Sequence, residues 1–439
     1  MRKLILILLT VLLHFLPFQT RLIVSPGVLN GGYFEHGTVS LYGSEILLWL
    51  IVILVIADFF INRRKLVFDT EGRSRRFKIS VFLFFCFFVF LLAHPTLVTF
   101  NYLRLFLEGI LLFLIIRLFA VGDPTANGSR TVLVWGFVGG GMVQALLGIQ
   151  QFFSQTAFAS KWLGMAVHDP SVLGTYVIET DFGRWLRAYG SLPHPNILAG
   201  YLVAAILLLI IYSQNNNVIP DSIRNPEKKS RISACTGMAQ KIVLFILPIL
   251  TVGLFFTFSR SAWIALIVGL LIFWITRIKS LKSSSLIIGL WTSFVAIICL
   301  TILLWPLVSA RTAADSRLEI KSSSERMSYY GEAWTLIKKH PFLGVGLGNY
   351  VRAVHNEIDS GRPAYAHQPV HNVFVLALAE LGAIGMLIIA TAIFVFRRII
   401  SWKKLICLAP FLIVGLFDHY LWSLYPGIIL WVAYAGLIL

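Results

Sequence analysis

The chain has 439 residues, of which 58% are hydrophobic and only 13% charged, with a mean hydropathy of +0.82. Soluble domains carry roughly 45–50% apolar and about 25% charged residues, so a water-soluble globular protein is excluded, as are disorder and a coiled coil. Yet 37 Lys and Arg stand against 20 Asp and Glu, a net charge of +17 in an oily chain. Two ordinary causes are the positive-inside rule and attraction to anionic lipid headgroups. Nucleic-acid binding ranks behind both, because no soluble basic domain is visible. Cys86, Cys299 and Cys407 lie in apolar runs and Cys235 in a basic polar loop, so the four cysteines imply neither a disulfide framework nor a CxxC metal site.

A membrane-crossing helix needs about 20 mainly apolar residues. Twelve stretches qualify: 3–20, 42–61, 79–94, 98–120, 131–152, 195–213, 241–258, 261–276, 285–306, 371–396, 404–418 and 421–438. The first has Arg2 and Lys3 ahead of an apolar run, as a signal peptide does. Gln19-Thr20-Arg21 offers no small-residue cleavage site, so it is taken as a membrane helix. The last two spans are short and closely joined. The expected fold is an all-α polytopic membrane protein of about twelve transmembrane helices. A large, partly helical extracytoplasmic loop (307–370) separates its ninth and tenth spans. The chain divides at the sixth span, into 1–194 and 195–439.

Twelve spans put both termini on one side. The loops on that side hold 23 Lys and Arg, against 14 on the other, of which 11 lie in the long loops 153–194 and 307–370. Long loops do not count reliably, and the short outer segments keep only Arg21, Arg104 and Arg260, so both termini are expected in the cytoplasm. Histidine is sorted more sharply. His36, His94, His168, His194, His340, His355, His367, His371 and His419 fall at or beyond the outer face, leaving only His14 within a span. That distribution points to an outward-facing polar site.

The candidate residues follow in chain order. Arg104 and Glu108, spaced i, i+4 in the fourth span, read as an intramembrane salt bridge. Arg187, His194 and Asn196 converge just before the sixth span, where Pro195 suits a first helical turn. Arg260 sits in Thr257-Phe258-Ser259-Arg260-Ser261, fixed at the outer edge between two closely joined spans. Held ionisable groups there are usually functional, and snorkelling to a headgroup is the alternative. Ser322 and Glu325 fit a capping box opening a helix that runs to about Lys339 before Pro341. Its expected apolar stripe is Met327, Tyr330, Ala333, Trp334 and Ile337, and Arg326 shares that face, either ion-paired or binding a ligand. Gly344-Val345-Gly346-Leu347-Gly348 reads as a tight turn, not a nucleotide fingerprint. His371-Asn372 opens the tenth span. A helix N-terminus there disfavours the imidazolium and leaves a neutral base, although from spacing alone an N-cap or interfacial anchor is the favoured reading. Zinc on His367 and His371 is disfavoured by Pro369 between them. Glu380 faces away from His371 and reads as structural.

Five segments in this order resemble the O-antigen ligase and polymerase superfamily of bacterial membrane glycosyltransferases. They are RAYGSLPHPNILAGYL (187–202), TFSRSAWIAL (257–266), ERMSYYGEAWTLIKKHPFLGVGLGNY (325–350), HNVFVLALAELGAIG (371–385) and FDHYLWSLYPGIILWVAYAG (417–436). The resemblance implies a catalytic region over 195–439. It implies transfer of a glycan from an undecaprenyl-diphosphate carrier to a lipid or glycan acceptor hydroxyl, on the outer face of the cytoplasmic (inner) membrane, in polysaccharide and cell-envelope biosynthesis. Inversion, no metal and no cofactor are implied with it. Carried over residue by residue, Arg260, Arg326 and His371 are the expected catalytic groups, with Arg317 or Arg352 as other counterparts of the loop arginine. Arg187, His194, Asn196, Asn372 and Asp418 are the expected substrate-binding groups. The chemistry agrees: guanidiniums bind phosphate bidentately and stabilise a leaving diphosphate, while His371 takes the acceptor's proton. A polymerase of the same superfamily, or a twelve-span secondary transporter or flippase, is the alternative. The absence of a match between halves and the crowding of polar groups on one face speak against a transporter.

Overall fold

A computed structural model describes residues 1–61, 93–121, 126–215, 242–277, 284–313, 316–396 and 406–439. The expected third span, 79–94, falls almost wholly outside them. The other eleven stretches each contain helix. They are α1 (Arg2–Phe15), α2 (Gly43–Ile61), α3 (Leu97–Val121), α4 (Ala126–Ser154), α5 (Pro195–Asn215), α6 (Ile242–Phe256), α7 (Arg260–Arg277) and α8 (Ser284–Leu303), then, beyond the outer-loop helices, α12 (Val373–Phe396), α13 (Ala409–Phe417) and α15 (Tyr425–Ile438). Among the described residues, five stretches are long and apolar enough to cross a bilayer: Gly43–Ile61, Gly128–Ser154, Pro195–Ser213, Ser284–Leu303 and Val373–Phe394. Uninterrupted apolar sequence forces this outcome, because in lipid a helix alone satisfies its own backbone.

Burial orders the helices. Within α5, 89% of the spanning window is buried, against 17% in α8, so α5 is central and α8 peripheral. Around α5 pack α4, α7 and α15, with α1 on α4, α3 on α15 and α13 on α7. Arg104 in α3 is held by Glu45 of α2, by Glu108 at 3.6 Å and by the Ser40 carbonyl, so the expected ion pair has a second carboxylate.

The segments expected on the outer side contain short strands as well as helices, so the described structure is not all helix. Three two-stranded antiparallel ribbons pair β1 (Arg21–Ser25) with β4 (Val39–Tyr42), β2 (Val28–Leu29) with β3 (Gly32–Tyr33), and β5 (Val177–Thr180) with β6 (Gly183–Leu186). After Leu303 the ninth span breaks and continues as α9 (Trp305–Thr312), which has Pro306 in its first turn. The loop then forms α10 (Arg317–Lys339) and α11 (Tyr350–Glu357), and α14 (Tyr420–Ser423) bridges the last two spans.

Two expectations about α10 are corrected. The helix begins at Arg317, so Ser322 and Glu325 lie inside it and form no capping box; Ser316 is the N-cap and makes no side-chain cap bond. The early start has a tertiary cause, since first-turn Glu319 is bonded by Arg260 and Arg311. The buried face is also rotated. Tyr329, Ala333 and Leu336 are buried, while Met327 (71% exposed) and Trp334 (57% exposed) face outward. The sequence period gave the spacing of the stripe; packing on α12 chose its angle.

The glycine turn explains a broken span. α12 is interrupted at Gly382, whose φ of 61° and ψ of −173° suit glycine almost alone. The backbone groups freed there are recovered by the 341–346 loop: Val345 N–H donates to the Ala379 carbonyl at 3.0 Å and Gly346 N–H to that of Glu380 at 2.9 Å, while Ala383 N–H donates to Pro341 at 2.9 Å. Glu380 accepts the Trp422 indole N–H at 2.8 Å. A Cβ on Gly382 would lie 2.4 Å from the Phe342 carbonyl oxygen. Gly382→Ala is therefore expected to cost at least about 1–3 kcal/mol and to lower the melting temperature in detergent. Gly331→Ala, in the exposed interior of α10 with nothing within 4 Å of its Cβ, should raise stability by about 1 kcal/mol.

Candidate active site

The segments expected on the outer side meet one another. Thr20 donates to the Trp162 carbonyl at 2.6 Å, Asn30 to the Ser360 carbonyl at 2.8 Å, and Thr96 to the Asn349 side chain at 2.9 Å. Arg187 reaches Thr257, and His36 packs on His419 with ring centroids 5.6 Å apart. The candidate residues lie at these junctions.

The connection from α6 to α7 is only Thr257-Phe258-Ser259. Reversing the chain in three residues forces buried Phe258 to a φ of 48°, which is uncommon for a bulky side chain. The end of α6 thus exposes carbonyl groups, which attract cations. Thr257 accepts Arg187 Nε at 2.7 Å, and Phe258 accepts Arg311 Nε at 3.1 Å. Arg260, the first residue of α7, donates from Nη2 to Glu319 Oε2 at 2.8 Å and from Nη1 to the Arg311 carbonyl at 3.2 Å. Arg311 binds the other oxygen of Glu319. Burial, and repulsion by Arg187, Arg260 and Arg326, act to destabilise the charge on Arg311, and the Glu319 contact opposes them.

Arg326 is half-buried and makes no hydrogen bond or ion pair with another described residue, yet its charge is felt at both Arg311 and His371. Arg317 instead pairs with Glu179 at 2.9 Å, and Arg352 is exposed. Of the three loop arginines weighed from sequence, Arg326 is the one whose charge acts on His371.

His371 lies just before α12. Asn372, the next residue, caps that helix: its Oδ1 accepts the N–H groups of Phe374 at 2.9 Å and Val375 at 3.1 Å, and its Nδ2 donates to Tyr330 and to the Leu416 carbonyl. Asn372 therefore supplies the cap and leaves His371 free of that task. The His371 ring stacks on Tyr329 (5.8 Å, 7°) and meets His419 edge-on at 5.0 Å. Its Nδ1 is buried without a hydrogen-bond partner among the described residues. Burial and the Arg326 charge hold His371 below the ordinary histidine value, opposed by Asp418. Burial pushes His194 down to about 3 and lowers His419 and His36 as well. These imidazoles are neutral at neutral pH.

Asp418 is the anion among them. Burial favours its neutral form, but His371 and His194, the Asn196 amide and the His419 N–H together hold it below the usual carboxylate value. Asn196 Nδ2 donates to Asp418 Oδ2 at 2.8 Å, and Asn196 Oδ1 accepts Arg187 Nη2 at 3.0 Å. The Asn196 N–H donates to His194 Nδ1 at 2.9 Å. Arg187, His194, Asn196 and Asp418 thus form one supporting network behind His371, and Arg187 is buried within it.

One ligand atom each from His371, Asp418 and His419 lies within 4.8 Å of the others, a spacing that suits a metal ion. Each Asp418 oxygen accepts one hydrogen bond, and His419 Nδ1 sits 2.6 Å from Ser423 Oγ, which leaves its Nε2 as the nitrogen available to a ligand. His367 stands apart from the group, its ring 5.3 Å from that of His355, and no helix joins it to His371. Sequence reasoning missed Arg311, Glu319 and the packing of His36 on His419. Only the histidine asymmetry hinted at the last.

Because Asp418 is the main group favouring the imidazolium of His371, Asp418→Asn is expected to lower the His371 pKa further below about 6.5. Histidine-selective NMR through a pH titration checks the sign. An upward shift would contradict the assignment of Asp418 as its partner.

No curated protein matches this chain. A family model described as O-antigen ligase matches residues 242–390, which include Arg260, Arg311, Glu319, Arg326 and His371 but neither Asn196 nor Asp418. Three of the five resembling segments lie within that stretch. This match supports assignment of the chain to the O-antigen ligase and polymerase superfamily.

Proposed function

We propose that the protein transfers a glycan from an undecaprenyl-diphosphate carrier to an acceptor hydroxyl at the outer face of the inner membrane, as an O-antigen ligase does. The observation that carries this reading is the adjacency of two chemistries. Arg260 and Arg326 both act on Arg311, and Arg326 also lies within electrostatic reach of a neutral histidine, His371, backed by a buried carboxylate. The arginines suit a diphosphate and the histidine a hydroxyl.

The reaction is a single inverting displacement. The acceptor oxygen attacks the anomeric carbon, and His371 takes its proton. The bond from that carbon to the phosphate oxygen breaks, and its electron pair leaves on the lipid diphosphate. Arg260 and Arg326 stabilise the charge that develops there. Asp418 stabilises the imidazolium formed on His371, and Arg187, His194 and Asn196 hold Asp418 in place. The diphosphate is a good enough leaving group that no metal or general acid is required of the mechanism. The exposed Trp334 and Tyr365 of the outer loop supply faces on which sugar rings can stack. A polymerase would use the same groups, with a second lipid-linked repeat as acceptor in place of a finished lipid core.

With purified undecaprenyl-diphosphate glycan and candidate acceptors in a reconstituted reaction, His371→Ala should reduce kcat by about 10²–10⁴-fold with little change in KM. The wild-type rate should fall with acid through a midpoint below about 6.5, as His371 protonates. Intact transfer by His371→Ala, or substrate flux into proteoliposomes without transfer, would overturn the proposal.

A further inference from the structure

Arg260 and Arg311 close on one carboxylate. Glu319 is buried at 6% exposure and offers one oxygen to each guanidinium. Arg311 is anchored behind by the Phe258 carbonyl, and Arg260 by the Arg311 carbonyl, so the pair forms a fixed fork. Two guanidiniums arranged as a fork form a geometry that binds phosphate oxygens.

We infer that Arg260 and Arg311 form a single anion site for the donor's diphosphate, that Glu319 is its resting occupant, and that the donor takes its place. The inference rests on the diphosphate reading of Arg260 given above.

Three observations carry it. The first is charge. Arg187, Arg260 and Arg326 all act on Arg311, while Glu319 is the carboxylate bonded to the fork. A diphosphate brings more charge and more acceptor oxygens than one carboxylate does. The second is burial. The Arg311 guanidinium, largely withdrawn from water beside other arginines, is costly without a counter-ion, so a protein that must fold before its donor arrives needs a stand-in. The third is access. The Arg260 side chain is 41% exposed, against 16% for Arg311 and 8% for Glu319. A ligand thus meets the fork past Arg260, while Glu319 reaches it from the first turn of α10. A terminal turn lacks half its helical hydrogen bonds and unwinds at low cost, which gives Glu319 a way out.

A permanent clamp, in which Glu319 positions the arginines and stays, predicts the opposite sign. The test titrates full-length protein in detergent with inorganic pyrophosphate by calorimetry. If Glu319 competes for the fork, Glu319→Gln binds pyrophosphate about tenfold or more tightly than wild type, and adding Arg311→Gln removes the gain. Glu319→Gln binding as weakly as wild type, or more weakly, overturns the inference while leaving the diphosphate reading intact, provided Arg260→Gln still abolishes binding. If Glu319→Gln does not fold, Glu319→Asp serves. Its carboxylate reaches the fork less well, so tighter pyrophosphate binding supports displacement and weaker binding overturns it. Binding unaffected by Arg260→Gln removes the diphosphate reading and this inference together.

Discussion

A carboxylate withdrawn from water keeps its charge only where other groups replace the hydration it has lost. Asp418 meets that condition because separate parts of the chain each deliver one partner: Asn196 from the first turn of α5, His371 from the entry to α12, His194 from the loop before α5, and the N–H of His419 entering α14. Helix ends distant in sequence must therefore converge on one point. That requirement ties the central helix to the last two spans, and it fixes His371 against Tyr329 and His419.

Apart from Arg326, which lies inside α10, the main groups of the candidate site sit where helices stop. Arg260 begins α7, Asn372 caps α12, Asp418 closes α13 and Asn196 opens α5. Helix termini carry unsatisfied backbone groups and dipole charge that a continuous helix cancels. In a chain this apolar they are the main places where polar chemistry is sustained. The cost is visible in the backbone. Phe258 adopts a positive φ, and the break at Gly382 must be repaired by a separate glycine loop. Strain and breaks are confined to positions that the surrounding structure over-determines.

The basic excess of the chain divides along the same lines. Some cations are held by acids or carbonyls, as Arg104 is by Glu45 and Glu108, and Arg130 by the last carbonyls of α15. Others are gathered where one acid serves two arginines, at Glu319, and where Arg326 has no counter-ion among the described residues. A net charge is a single number. The ratio of arginines to partners at each place decides whether a cation maintains the fold or awaits an anion.

Much of this was legible in the sequence, because lipid imposes a simple rule. Long apolar runs become helices, and eleven of the twelve expected stretches can be compared and contain one. Arg260 beside a very short connection, the glycine turn and the histidine asymmetry were readable for the same reason: each is a local pattern whose cost is set by its own neighbours. The partners were not readable. Glu319 lies 59 residues from Arg260, and Asn196 lies 222 from Asp418. No periodicity encodes either distance. The start of α10 and the angle of its buried face were misjudged because contacts with Arg260, Arg311 and α12 outweigh local capping and helical spacing. The sequence by itself determined which segments are helical and which charged residues stand in or beside apolar runs. Only the tertiary structure decided which ends meet, because a buried charge selects its partner by proximity in space.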